Sequence, residues 1–191
     1  MKAGSLNPES LLSPRLKPGL RVAVFIDGHN VHLSERDLGW EIDFRKLLTI
    51  VERMTAGHIY RAFFYAGFVP GHQERFAFFR ALRSIPHFEL RTKEAHANGG
   101  PVIKCNFDVE ITVDMLTHAT CNAYDVAILL SGDGDLVYAV QEIKRLGCQV
   151  ICLSTMQGHT GPTAAIALRQ VCDQFIDLMD LRAHIEMRRD F

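Results

Sequence analysis

The sequence predicts an α/β fold of three layers, a mostly parallel central sheet sandwiched between helices. Three observations lead there. RVAVFID (21–27), DVAILLS (125–131) and CQVICLS (148–154) are short, nearly continuous apolar runs, the pattern of strands buried on both faces. Segments with apolar residues at helical spacing separate the strands, and that alternation builds parallel sheets with right-handed crossovers. Finally, 48% of the 191 residues are hydrophobic, enough to bury a sizeable core as one domain and to exclude a disordered polypeptide.

Residues 1–19 hold three prolines, two glycines and three serines among scattered leucines. That composition predicts a flexible leader and leaves 20–191 as the single folded domain. The first strand lies between Gly19 and Gly28 and is followed by a polar loop. Phe44, Leu47, Leu48, Val51 and Met54 then recur at helical spacing, and Gly57 stops the helix. IYRAFFYAGF (59–68) is a strand, Pro70-Gly71 a turn, and Phe76, Phe79, Leu82 and Arg83 mark a helix. A short alternating strand over 88–94 precedes Asn98-Gly99-Gly100-Pro101, the strongest turn signal in the chain. Val109, Val113 and Leu116 belong to a helix beginning near 106–108. After the strand at 125–131, SGDGD (131–135) is the exit loop, and Leu136, Val140 and Ile143 lie on a helix ended by Gly147. Beyond the strand at 148–154 the pattern predicts a helix near 162–170, a strand near 174–178 and a short terminal helix.

The balance of 22 acidic against 21 basic side chains leaves no sequence-wide positive field to hold nucleic acid, so any such contact must be local. Cys105, Cys121, Cys148, Cys152 and Cys172 are odd in number and scattered, matching neither a disulfide framework nor a zinc-ribbon spacing. Reduced thiols in a cytoplasm are expected. No run approaches eighteen apolar residues and the N-terminus lacks an apolar signal region, so the reading is a soluble, cytoplasmic protein with no membrane partner.

In an open parallel sheet the ligand site lies beyond the carboxyl ends of the strands, where the strand order reverses. Asp27 ends the first strand, with Asn30 one turn later. Asp133 and Asp135 follow the strand at 125–131, and Asp108 opens the helix after the Gly-Gly-Pro turn. Singly, Asp27 reads equally well as a turn residue, and Asp108, Asp133 and Asp135 as helix caps. Together they deliver four acids to one sheet edge. Two carboxylates about 4 Å apart repel by roughly 1 kcal/mol in water and about 4 kcal/mol at an effective dielectric of 20. Such a group must protonate, pair with bases or bind a hard cation, and placement favours Mg²⁺ or Mn²⁺. Glu110 and Asp114 share one face of the same helix, with Asp114 about 120° around from Asp108. Asp108 is therefore the preferred ligand, Asp114 an acid behind it, and Glu110 solvated.

IDGHN (26–30), KCNFDVEITVDML (104–116) and LLSGDGDLVYAVQEIKRLGCQV (129–150), in that order, resemble the NYN domain family in its LabA-like branch, a relative of PIN-domain nucleases. The resemblance covers about residues 21–178. It implies a PIN-like, Rossmann-like fold and a metal-dependent ribonuclease, with Asp27, Asp108, Asp133 and Asp135 as the acids and Asn30 beside the first. One departure is Cys105, where family members often have glycine. A side chain there would narrow the approach of a substrate backbone.

Lys104 is the basic residue placed best to contact a substrate phosphate. Arg61, Arg91 and Lys93 either extend a basic track or are scattered surface charge. His29 and His32 are poor ligand candidates, because an aspartate-rich site favours hard ions over imidazole-bound zinc. Phe63, Phe64, Tyr65 and Phe68 lie in an apolar strand and read as core rather than as a base-stacking platform. Phe78 falls off its helical stripe, and an exposed ring there would serve a homodimer interface or another partner surface. Ser154, Thr155, His159 and Thr160 follow a strand and read as loop residues or as lining of the site.

Three functions are open at this level. The leading one is a Mg²⁺- or Mn²⁺-dependent ribonuclease acting on single-stranded RNA. The second is a non-catalytic module holding metal and nucleic acid to regulate a partner. The third is a small-molecule phosphatase, disfavoured because IDGHN lacks the paired aspartates of an aspartyl-phosphate nucleophile.

Overall fold

The computed structural model describes residues 7, 10–11, 16–71, 73–94, 105–156 and 163–188. Its strands are β1 (Arg21–Asp27), β2 (His58–Phe68), β3 (Phe88–Glu94), β4 (Val126–Leu130), β5 (Gln149–Ser154) and β6 (Gln174–Asp177). They form one six-stranded sheet in the order β3-β2-β1-β4-β5-β6, and every strand pairing is parallel. The expected sheet was mostly parallel; among the described residues the antiparallel element is an isolated bridge between Ile42 and Glu186.

The helices are α1 (Gly28–Leu38), α2 (Phe44–Thr55), α3 (Gln73–Arg83), α4 (Asp108–Thr120), α5 (Val137–Arg145), α6 (Ile166–Val171) and α7 (Leu178–Ile185), with a 3₁₀ turn at Gly134–Leu136. They form the two outer layers because residues of a strand point alternately to opposite faces. Val22, Val24 and Ile26 of β1 join a core closed by α1, α2, α3 and α7. Ala23 and Phe25 join a second core closed by α4, α5 and α6. The expected aromatic core residues are where the apolar strand implies, with Phe63 and Tyr65 in one core and Phe64 in the other.

One element departs from expectation. Residues 28–38 are not a polar loop but α1, which begins immediately after β1. Its buried positions are Gly28, Asn30, Val31 and Ser34, so it lacks the apolar stripe by which a helix is recognised. Asp27 starts it by accepting hydrogen bonds from the His29 and Asn30 amides at 3.0 and 3.1 Å. Gly28 lets it sit close to the sheet, since a Cβ there would lie 2.6 Å from the Tyr65 carbonyl oxygen. Phe78 is likewise corrected: it is half-buried against Phe44 and Phe64, while the exposed ring of α3 is Phe76. Of the segment expected as a leader, Leu11 and Leu16 pack on the core and the Gly19 amide donates to the Ala56 carbonyl. The turn at 98–101 lies outside the described residues.

Candidate metal centre

β1 and β4 are neighbours, and from them the chain winds outward in opposite directions, to β2 and β3 on one side and β5 and β6 on the other. Their carboxyl ends therefore form the switch point at which α/β sheets bind ligands. A cavity of about 280 Å³ opens there, lined by Asp27, Asn30, Asp108 and Asp133 together with His29, Cys105 and Gly132.

One carboxylate oxygen from each of Asp27, Asp108 and Asp133 lies within 4.8 Å of the others. Asp27 is buried at the end of β1, and burial pushes its carboxyl above the usual range. Its His29 and Asn30 amide donors and the His29 charge oppose that rise, while the nearby Asp108 adds to it. Ser131 ties the arrangement together: its hydroxyl donates to Asp27 Oδ2 at 3.3 Å and accepts from the Asp133 amide at 3.1 Å. Asp133 Oδ1 accepts in turn from the Asp135 amide at 3.0 Å and caps the 3₁₀ turn. Asp27 and Asp133 have no Lys or Arg ion-pair partner among the described residues. Three convergent oxygen donors so held fit a hard divalent cation, whose ligand shell is built from carboxylates.

The structure does not bring every expected residue to this point. Asp135 is exposed and outside the three-acid group. Asn30 is buried and its Oδ1 accepts from the Gly132 amide at 3.0 Å, locking α1 to the loop after β4. Asp114 accepts from the Tyr65 hydroxyl at 2.9 Å and from Arg91 Nε at 3.1 Å, so it serves the helix-to-sheet packing. Glu110, expected in solvent, pairs with Lys93. Arg61 and Arg91 both pair with Glu89, which dissolves the suggested basic track into surface ion pairs. Lys104 lies outside the described residues, as do His159 and Thr160. Ser154 and Thr155 are buried beneath the site rather than lining it.

Cys105 stands on Gly67: a Cβ added to that glycine would meet Cys105 Cβ and Sγ at 2.9 Å. The thiol uses space that a β2 side chain would otherwise fill, while still bordering the cavity. Ser131 was missed by sequence reading. Its signal was present in SGDGD, where a hydroxyl directly precedes the acidic loop.

The fold and the site define a class: a three-layer α/β domain with three aspartates, able to hold a divalent cation, at the switch point of a parallel sheet. The chain belongs to the NYN domain family, whose profile matches residues 21–181. It is similar to the low amplitude and bright protein LabA of Synechococcus elongatus, with 33% identity over 172 residues, 87% of this chain and 88% of that protein. A protein of unknown function from Vibrio parahaemolyticus shares the fold, with a TM-score of 0.72 at 21% identity over 91% of this chain and 99% of that one. Among the described residues no helix is long and apolar enough to cross a membrane.

Proposed function

We propose that this protein is a Mg²⁺- or Mn²⁺-dependent ribonuclease that hydrolyses phosphodiester bonds of single-stranded RNA. The observation that carries the reading is the convergence of Asp27, Asp108 and Asp133 in an open cavity. Membership of the NYN family, which resembles the PIN-domain nucleases, supports the same class of chemistry. A bound Mg²⁺ or Mn²⁺ would polarise a phosphodiester oxygen and make a water nucleophilic near neutral pH.

The chain's own residues then have distinct tasks. Asp27, Asp108 and Asp133 hold the cation. Ser131 and the α1 amides fix the Asp27 carboxylate, and Asn30 holds the Gly132 amide so that Asp133 is presented from a rigid loop. Asp135, exposed next to the cavity-lining Asp133 and Gly134, is assigned to orient water, and Lys104 to contact the substrate backbone. Cys105, set beside Gly67, borders the cavity and narrows the approach of the substrate backbone. All five cysteines are free, which fits the reducing cytoplasm as the site of action.

A specific observation also favours a second reading. Asp135 stays out of the acidic group, so a site with three acids could hold metal and nucleic acid without cleaving. The deciding experiment is a gel assay on labelled single-stranded RNA with Mn²⁺, Mg²⁺ or chelator, comparing wild type with Asp133→Asn. Metal-dependent cleavage lost in the variant supports the nuclease. Metal-dependent binding without cleavage transfers the assignment to the regulatory module.

A further inference from the structure

A second cleft, of about 260 Å³, lies on the other side of α1 from the aspartates. Gly28, Val31, His32 and Glu35 face it, whereas Asp27, His29, Asn30 and Leu33 face the acidic cavity. The two sites thus flank one helical turn and share the peptide that joins Asp27 to Gly28, whose Cα atoms are about 3.8 Å apart.

The second cleft has an unusual polar inventory. Arg75 of α3 is half-buried, and burial pulls its guanidinium below its usual range. Its hydrogen-bond partner among the described residues is the Gly67 carbonyl, 3.3 Å from Nη2, and the Glu35 charge opposes the downward pull without an ion-pair contact among those residues. The guanidinium lies over the rings of Phe78 and Phe79, at 5.8 and 5.1 Å from their centroids. A guanidinium carries five N–H donors, so most of its capacity is unspent. Across the cleft, Glu35 Oε1 accepts from the Ile42 amide at 2.8 Å, and burial pushes this carboxyl upward. Phe64 and Phe78 form apolar walls and pack edge-on against each other at 5.7 Å, which holds the shape of the cleft.

These groups restrict what can bind. His32 and Glu41 also line the cleft and are exposed, so a free anion suits Arg75 but meets Glu35 and Glu41, and a free cation suits the two carboxylates but meets Arg75. A neutral planar group with an acceptor and an N–H donor on one rigid edge satisfies both, and aromatic walls suit its faces. That is the chemistry of an unpaired nucleobase, read by hydrogen bonds to its edge and by aromatic contact. The volume is below the range of about 300–1,000 Å³ usual for whole small-molecule ligands, which fits one heterocycle rather than a complete nucleotide. We propose that the cleft lined by Arg75, Glu35, Phe64 and Phe78 is a subsite for one nucleobase of the RNA whose phosphodiester reaches the aspartates. The assignment rests on the nucleic-acid reading of the neighbouring site.

The test is calorimetric titration of the full chain in chelator with each of the four nucleoside 5′-monophosphates and with ribose 5-phosphate. At least one nucleotide is expected to bind about tenfold or more tightly than ribose 5-phosphate, and to lose about tenfold in Arg75→Gln and in Glu35→Gln. Nucleotides binding no better than ribose 5-phosphate would overturn the subsite. So would folded variants that bind like wild type. If Arg75→Gln fails to fold, Glu35→Gln decides alone, because its amide oxygen can still accept from Ile42. Cleavage of RNA is scored separately: nucleotide binding without cleavage keeps the subsite and rejects the nuclease, and cleavage without nucleotide binding does the reverse.

Discussion

Two sets of acidic residues in this protein are treated in opposite ways by the same fold. One set, away from the switch point, is neutralised: Asp125 binds Arg21, Asp173 binds Lys144, Asp114 binds Arg91 and Glu186 binds Arg182. At the switch point, Asp27 and Asp133 receive only amide and hydroxyl donors among the described residues and crowd against Asp108. The first population spends its charge inside the protein. The second is left without such partners, and the pKa directions differ accordingly: burial raises Asp27, whereas the Arg21 hydrogen bond lowers Asp125.

The largest expected effect separates the populations by activity. Asp133→Asn should lower metal-dependent RNA cleavage by about 100-fold or more, measured as kcat/KM on a labelled oligonucleotide. Its metal-free stability should be unchanged or raised, because a repelling charge is removed while the cap is kept. A cooperative loss of several kcal/mol in denaturant would mean a structural role instead.

Metal itself should act on stability. At about 100 times its Kd, Mn²⁺ should stabilise the wild type by about 2.7 kcal/mol, an effect that chelator reverses. In Asp133→Asn the same concentration should give a much smaller shift in thermal midpoint.

Asp114→Ala tests the paired population and should behave in the reverse manner. It strands the buried Tyr65 hydroxyl and should cost about 1–3 kcal/mol in a urea titration while leaving Mn²⁺ affinity unaltered. A Mn²⁺ affinity that fell with it would place Asp114 in the metal centre after all.

Asp27 belongs to both worlds, as a proposed ligand and as a cap. Asp27→Ala should be less stable than Asp27→Asn by about 1 kcal/mol in metal-free denaturation, since only asparagine can still accept from the α1 amides. Both variants should lose cleavage. Equal stability of the two would show that the cap contributes little.

The smallest effects lie in pH dependence, where the two populations differ in sign. The Asp27 pKa is raised in the fold, so its charged form disfavours the metal-free native state, and that penalty lifts as pH falls through the raised value. Any gain in stability from Asp27→Asn at neutral pH should therefore vanish on acidification. The Asp125 pKa is lowered, chiefly by the Arg21 hydrogen bond, so its contribution is present above the ordinary carboxylate range. It is lost as pH falls through the lowered value. Asp125→Asn should destabilise at neutral pH and converge on wild type in acid. Denaturation series across pH for the two variants check both signs.

Much of this is legible in the amino-acid sequence. RVAVFID, DVAILLS and CQVICLS are apolar enough to require burial on both faces, and the helical stripe of α2 is unambiguous because Leu47, Leu48, Val51 and Met54 all face a core. α1 was not legible. Its buried face is filled by Gly28, Asn30, Val31 and Ser34, of which Val31 alone offers a large apolar side chain, while Gly28 permits close approach and Asn30 and Ser34 make hydrogen bonds. Ser131 was hidden for a related reason, since a hydroxyl in a Gly-Asp loop says nothing of the two carboxylate-bearing segments it joins until the strands are adjacent. The second cleft could not be foreseen at all, because Glu35, Phe64 and Arg75 come from three elements with no shared motif.

What the sequence determined by itself is the layered architecture and the delivery of acids to strand ends, because burial of apolar runs and capping of helices act over a few neighbouring residues. Which acids meet was decided only in three dimensions. Asp27 and Asp108 are 81 positions apart in the chain, and their encounter depends on β4 pairing with β1 and on where the start of α4 lies against the sheet. Asp135, two residues from a clustered acid, turns away with its 3₁₀ turn, while Asp114 and Glu110 find cations on β3. The physical reason is range: backbone and burial preferences are local, whereas charge neutralisation depends on which side chains the packed layers finally set within a few ångströms of each other.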